Sequence, residues 1–187
     1  MPFSSGRYYP DVNLGNVFIG TTAIAGVALP AYNATAHTFC VWNPLGSGKN
    51  IIPLHLMVGY VATTSAAGNV VISYQNAVGA QVATGAAITA ATLVAPLNAK
   101  LGAGNSSVSK FAPATITFAA ATSLLMTTGL NEDAFAATSA ANQLKQAKHD
   151  FESTLMVPPG SAICIAGNIA LLSTFDVTLI WEEVPLA

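Results

Sequence analysis

Charged side chains are scarce in this sequence. Its 187 residues include six Lys and Arg and eight Asp and Glu, which gives a formal net charge of −2. Between Val12 and Asn131 the only charged residues are Lys49, Lys100 and Lys110. Soluble domains are typically about 25% charged, whereas this chain is 7% charged. Because few like charges keep copies apart, we expect much of the surface to lie against other subunits.

The shortage of charge also argues against several partners. Six Lys and Arg are too few and too scattered to follow a phosphate backbone, so direct binding of nucleic acid is not expected. The first residues lack a basic stretch followed by an apolar core, so no secretory signal peptide is expected. The uncharged stretch 111–130 contains Pro113, Gly129 and many Ser and Thr residues, which disfavours a membrane-spanning helix. We therefore expect no association with a membrane.

No pattern of catalytic residues is present. The adjacent residues Glu182 and Glu183 lie on a predicted strand, so their side chains point to opposite faces and are interpreted as solvating the end of that strand. His37, His55 and His149 fall in three different elements and are interpreted as packed or interface histidines. We expect no enzymatic activity, no catalytic residues and no cofactor.

The two cysteines each lie within an apolar run. Cys40 is flanked by Phe39 and Val41, and Cys164 is flanked by two isoleucines. The favoured interpretation is two buried free thiols that act as small apolar side chains. A disulfide between adjacent strands is the alternative. No Cys-x-x-Cys motif or grouping of Cys with His suggests a metal site.

Short apolar stretches with a period of two dominate the chain. Phe175, Val177, Leu179 and Trp181 alternate with more polar residues, as the side chains of a half-buried strand do. Roughly nine such stretches, separated by Gly, Pro and Asn, recur at about ten-residue spacing. This pattern predicts an all-β protein with an antiparallel β-sandwich of jelly-roll type.

One segment has the charge pattern of a helix. Asn131 is a suitable N-cap, Glu132 and Asp133 fall in the first turn, and Lys148 and His149 fall in the last turn. This order of charge complements the helix dipole. The sequence therefore predicts one helix, at about 132–149, inserted between strands.

The chain is expected to form an N-terminal arm, 1–16, and a single β-sandwich domain, 17–187. The arm carries Phe3, Tyr8 and Tyr9 among Gly and Pro residues, a composition that suits docking on a neighbouring subunit. The stretch 77–104 is rich in Ala, Thr and Gly, so it gains little from burial in its own core and is expected to become ordered against a neighbour. The apolar residues of this stretch proposed for the interface are Val82, Ile88 and Leu93.

Two stretches of the sequence are similar to parts of a known class of proteins. Residues 42–50, Trp-Asn-Pro-Leu-Gly-Ser-Gly-Lys-Asn, resemble hairpins of the virion-surface proteins of tailed bacteriophages. The segment 156–161 and the final strand 180–185 are similar to the ends of the same proteins. The resemblance implies a β-sandwich that oligomerises, typically as a trimer, on the surface of a capsid or tail.

These observations favour a non-enzymatic virion structural protein. We expect a trimeric capsid decoration, or cement, protein that is made in the host cytoplasm and located on the capsid surface. Its expected partners are copies of itself and the major capsid protein or other virion subunits. The alternative is a carbohydrate-binding or receptor-binding module of a phage or extracellular protein. In that case aromatic side chains such as Tyr32, Trp42, Tyr60 and Tyr74 would stack on sugar rings.

Overall fold

The protein is built mainly from antiparallel strands. The computed structural model describes residues 7–62, 68–76, 94–102, 104–113, 115–118, 120–132, 147–171 and 173–186. In chain order, the elements are α1 (Tyr9–Leu14), β1 (Val17–Thr21), β2 (Val27–Ala28), β3 (Ala36–His37), β4 (Cys40–Trp42), β5 (Lys49–Ala62), β6 (Gly68–Gln75), β7 (Leu97–Asn98), β8 (Lys110–Ala112), β9 (Ile116–Thr117), β10 (Ser123–Glu132), β11 (Ala147–Asp150), β12 (Ala162–Gly167) and β13 (Thr174–Pro185). The predicted all-β class is confirmed.

The first sheet, sheet A, has six strands. Its order is β11-β5-β13-β1-β7, and β2 pairs with the beginning of β13. Strand β13 lies at its centre, paired with β5 on one side and with β1 on the other. Phe175, Val177, Leu179 and Trp181 are buried, whereas Asp176 between the first two is exposed. The predicted alternation of this strand is confirmed.

The second sheet, sheet B, has five strands in the order β10-β6-β12-β4-β8. All of its pairs of strands are antiparallel. Every residue of β12 is buried, so this strand is covered on both faces. One face of β12 is covered by the short two-stranded sheet of β3 and β9 and by the residues that follow β9. Ile116 of β9 and Phe118 after it pack against residues of β12 and β4.

Side chains of both large sheets form one apolar core. Phe18, Leu56 and Trp181 of sheet A belong to the same buried cluster as Ile72 and Ile165 of sheet B. The sheets therefore share a common interior.

A bulge changes which residues of β5 point toward the core. Ile180 lies opposite His55, but the next residue, Trp181, lies opposite Pro53, so Leu54 is an additional residue in β5. Because one extra residue reverses the alternation, Ile51 is buried at the start of the strand and Leu56 is buried after the bulge.

The predicted helix at about 132–149 is wrong at both of its ends. Strand β10 continues to Glu132, which lies opposite Gly68, and Ala147–Asp150 is the edge strand β11, paired with β5. The charges near a helix end contribute only about 0.3–1 kcal/mol each, so pairing with an existing strand outweighs them. The middle of the predicted helix, 133–146, lies outside the described residues. The described helix, α1, lies instead in the predicted arm.

Candidate functional site

The predicted interface residues can be placed in part. Phe3, Val82, Ile88 and Leu93 lie outside the described residues. Tyr9, at the start of α1, is 58% exposed and can contact another molecule.

Tyr8 is engaged within the chain. It is half-buried, and its ring packs edge to face against His55 with the ring centres 5.3 Å apart. The Arg7 guanidinium lies 5.4 Å from the centre of the Tyr8 ring, within the range of a cation–π contact. Of the two adjacent tyrosines of the arm, Tyr8 thus makes a contact within the chain, whereas the side chain of Tyr9 is exposed.

Residues 10–16 of the arm cross the outer side of sheet A. Pro10 lies in the first turn of α1, and Gly15, with a φ of 75°, ends the helix in a left-handed conformation. Burial, together with the charge and hydrogen bond of Asp11, raises the pKa of Glu182 on β13. Beyond the helix, Asn98 of β7 donates a hydrogen bond of 2.7 Å from Nδ2 to the carbonyl of Gly15. The arm therefore joins β5, β13 and β7.

Three exposed leucines lie in or beside the edge strand β7. Leu97 lies in β7, Leu101 lies in the turn after it and Leu14 ends α1, with exposed fractions of 66%, 83% and 64%. Asn105 Nδ2 donates to the carbonyl of Leu14 at 3.0 Å, which holds the end of α1 against the loop that follows Leu101. We call Leu14, Leu97 and Leu101 the β7 patch. Two of its members belong to the stretch 77–104, but they are not the residues that the sequence singled out.

A carboxylate is buried at the end of β13. Glu183 has no exposed surface, and its side chain follows Trp181 on the inward row of the strand. Its oxygens accept hydrogen bonds from the backbone N–H groups of Val108 and Ser109 at 3.0–3.1 Å and from the hydroxyls of Ser107 and Ser109. Lys49 Nζ lies 3.4 Å from Glu183 Oε2. The interpretation of Glu183 as a solvated strand end is wrong, because the period of two continues through this residue.

The surroundings of Glu183 favour its charged form. Burial by itself raises the pKa of this carboxyl, but the hydrogen bonds from Ser107, Val108 and Ser109 outweigh burial and hold the pKa below its ordinary value. Trp181 Nε1 donates to Ser109 Oγ at 3.0 Å, so the indole of the core is connected to the same network. A carboxylate with this many donors is a structural anion that holds the 107–109 loop against β13.

Cys40 and Cys164 form a disulfide, so the prediction of free thiols is wrong and the alternative is correct. The two residues lie directly opposite each other on β4 and β12. The flanking hydrogen bonds, from Ile165 N to Phe39 O and from Asn43 N to Ser161 O, make this a non-hydrogen-bonded pair. Facing Cα atoms at such a pair are about 4.5 Å apart, and these are 4.1 Å apart, so the register brings the thiols together.

His37 completes a cluster with the two cysteines. One potential ligand atom from each of His37, Cys40 and Cys164 lies within 4.8 Å of the others, and all three residues are buried. Burial lowers the pKa of His37, opposed by its hydrogen bond to the Ala34 carbonyl. The interpretation of His37 as a packed histidine is confirmed. No grouping of His with Cys is predicted from the sequence, although the spacing His37-x-x-Cys40 indicates one.

Comparison of this chain with protein-family models, with curated proteins and with solved structures finds no significant match. Within the described residues, no helix is long and apolar enough to cross a membrane.

Proposed function

We propose that the chain is a non-enzymatic structural subunit of a virion that assembles with copies of itself, as a trimer, and with other capsid subunits. The observation that carries this proposal is the β7 patch. Three large aliphatic side chains that are 64–83% exposed lie close to one sheet edge, in a chain with a net charge of only −2. Such a surface is stabilised when another apolar surface covers it.

The energetics of the patch favour a contact between subunits. Each leucine that becomes fully buried contributes about 1.5–3 kcal/mol. Association costs about 4–15 kcal/mol in lost freedom of motion, so the β7 patch is the centre of a larger interface and not the whole of it. Lys100 Nζ, beside the patch, donates a hydrogen bond to the carbonyl of Asn13 at 2.8 Å, so the ammonium keeps one acceptor when the patch is covered.

The strand order supports a jelly roll. Without β2 and without β7 and β8, each of which lies at one edge of its sheet, sheet A reads β1-β13-β5-β11 and sheet B reads β4-β12-β6-β10. The chain thus alternates between sheets, except for the consecutive sheet B strands β6 and β10, as an eight-stranded jelly roll made of two Greek keys does. Viral capsid subunits use this architecture, and so do lectins.

The aromatic side chains favour one of these two uses of the fold. The candidate sugar-binding residues are each half-buried: Tyr32, Trp42, Tyr60 and Tyr74. Tyr9, in contrast, is exposed. Stacking on a sugar requires an open ring face, so these residues favour the assembly function over the carbohydrate-binding alternative.

The test is the mass of the purified protein in solution. Sedimentation velocity at several concentrations is expected to give a trimer for the wild type and a smaller species for a variant with both Leu97→Asp and Leu101→Asp. The matched control is Ile24→Asp, because Ile24 is 95% exposed but lies in the turn before β2. The control position is distant from the β7 patch. The turn that holds Ile24 leads to Val27, which pairs with Phe175 of β13. Leu97 pairs with Ile19, which pairs with Ile180 of β13, so the two positions are about 17 Å apart along β13. A wild type that stays monomeric at high concentration contradicts the proposal.

A further inference from the structure

We propose that reduction of the Cys40–Cys164 disulfide converts Cys40, Cys164 and His37 into a binding site for a zinc ion. Thiolates and imidazole are the ligands that zinc prefers in proteins. The three residues come from β3, β4 and β12, so the pairing of strands, and not the proximity of residues in the sequence alone, builds the site.

The distances suit zinc after a small adjustment. Zn–S and Zn–N bonds of about 2.3 and 2.0 Å place neighbouring ligand atoms of a tetrahedral site roughly 3.5–3.8 Å apart. One ring nitrogen of His37 and the two sulfur atoms already lie within 4.8 Å of one another. When the disulfide is broken, rotation of the two cysteine side chains separates the sulfur atoms, and both strands keep their positions.

The hydrogen bonds of His37 prepare one ring nitrogen for a metal. Its Nε2 atom lies 3.1 Å from the carbonyl of Ala34 and 2.8 Å from the hydroxyl of Thr122. That hydroxyl donates its proton to the carbonyl of Tyr32, so Nε2 carries the ring proton and donates it. The Nδ1 atom then holds a lone pair.

Nδ1 is buried and has no hydrogen-bond partner among the described residues. A metal-binding histidine commonly donates its other ring N–H to a backbone carbonyl, which fixes the ring and its tautomer. His37 has this second partner in place, in the carbonyl of Ala34, and its Nδ1 atom is free to bind.

The chemistry balances in charge and in protons. A dithiol or phosphine reductant supplies two electrons, and with two protons the disulfide becomes two thiols. Zinc binding then releases both protons to solvent, which leaves two thiolates, a neutral imidazole and Zn²⁺ with no net charge. A neutral cluster is compatible with the apolar neighbours Ala112, Ile116 and Phe118. Compartments that keep thiols reduced would therefore favour the zinc form over the disulfide.

The experiment uses the full chain reduced with a phosphine and titrated with Co²⁺ as a spectroscopic substitute for Zn²⁺. Reduced wild type is expected to show thiolate-to-cobalt charge-transfer absorption at one equivalent of metal, and Zn²⁺ is expected to abolish it. The oxidised protein is expected to show none. His37→Asn is expected to weaken binding at least about tenfold, whereas the matched control His149→Asn, which changes a histidine of β11, is expected to bind like the wild type.

Protection of the thiols gives a second measurement that holds even if the reduced chain unfolds. Zinc is expected to slow alkylation of both cysteines in the reduced wild type and to have a much smaller effect in His37→Asn. A reduced chain that is unfolded without metal is expected to refold when zinc is added. Equal metal binding by the oxidised and reduced protein, or equal protection in wild type and His37→Asn, would overturn the proposal. Either result is independent of whether the protein forms trimers.

Discussion

The Nζ atom of Lys49 lies 3.4 Å from the carboxylate of Glu183, and the glutamate of this ion pair is completely buried. Lys49 begins β5, and Glu183 lies near the end of β13, so the pair joins the two central strands of sheet A where they meet the 107–109 loop. Because several donors converge on this carboxylate, removing its charge is expected to destabilise the fold more than the same change at its neighbour Glu182.

The first prediction concerns the stability of a Glu183 variant. Glu183→Gln is expected to lower the free energy of unfolding by about 3 kcal/mol, because it breaks a buried ion pair and directs an amide NH₂ group toward other donors. Urea denaturation measures the change. Glu182→Gln is the matched control, and it is expected to be at least as stable as the wild type, because burial and Asp11 already raise the pKa of Glu182 and so disfavour its charge. Equal losses in the two variants would contradict the role given to Glu183.

The second prediction concerns acid. The pKa of Glu183 is below its ordinary value of 4.5, so the folded protein binds this proton less tightly than the unfolded chain does. The stabilisation is complete above pH 4.5 and is lost as the pH falls from there through the folded pKa. We expect the unfolding free energy of the wild type to fall in this range and that of Glu183→Gln to fall less steeply. If the unfolding free energies of the two proteins fell equally with pH, a group other than Glu183 would control the loss of stability in acid.

The third prediction concerns reduction of the disulfide in metal-free buffer. The bond joins residues that are 124 positions apart in the chain. In the chain-entropy model a crosslink of this span lowers the entropy of the unfolded state and so raises the free energy of unfolding by about 4–5 kcal/mol. A phosphine reductant with a chelator is therefore expected to lower the urea midpoint without changing the secondary structure below the transition. A Cys40→Ala, Cys164→Ala variant should match the reduced wild type, and a midpoint unaffected by reductant would argue that the crosslink contributes little.

The fourth prediction concerns salt. If subunits associate through neutral surfaces such as the β7 patch, few ion pairs are available for screening. The association constant from sedimentation equilibrium is expected to change less than about threefold between 50 mM and 500 mM NaCl. A fall of ten-fold or more over this range would assign the contact to charged residues and not to the leucines.

The strands were predictable where a local pattern controls the structure. The alternation from Phe175 to Trp181 needs only one buried face, and both the strand and its face follow from it. The same alternation also places Glu183 inward, but glutamate is usually exposed, and that general tendency favours the opposite interpretation. Nothing near Glu183 in the chain indicates its donors, because Ser107, Val108 and Ser109 are more than 70 residues away.

The strand at the end of 132–149 and the disulfide could not be predicted, because both depend on contacts between distant parts of the chain. The charges of 132–149 favour a helix locally, but the end of this segment pairs with His55–Val58, far away in the sequence. The disulfide depends on the register of β4 against β12, and that register cannot be read from either strand alone. The order of the strands in each sheet likewise depends on contacts between distant segments.

The position of β13 between β5 and β1 has a consequence for synthesis. A ribosome that extends a chain by about 5–20 residues per second delivers the other strands of sheet A first. Until Thr174 to Pro185 emerges, β1 and β5 each lack the partner that separates them, and their apolar side chains stay open to nascent neighbours. We expect sheet A to close only after residues 174–185 have been synthesised, because its other strands cannot complete their pairing without β13.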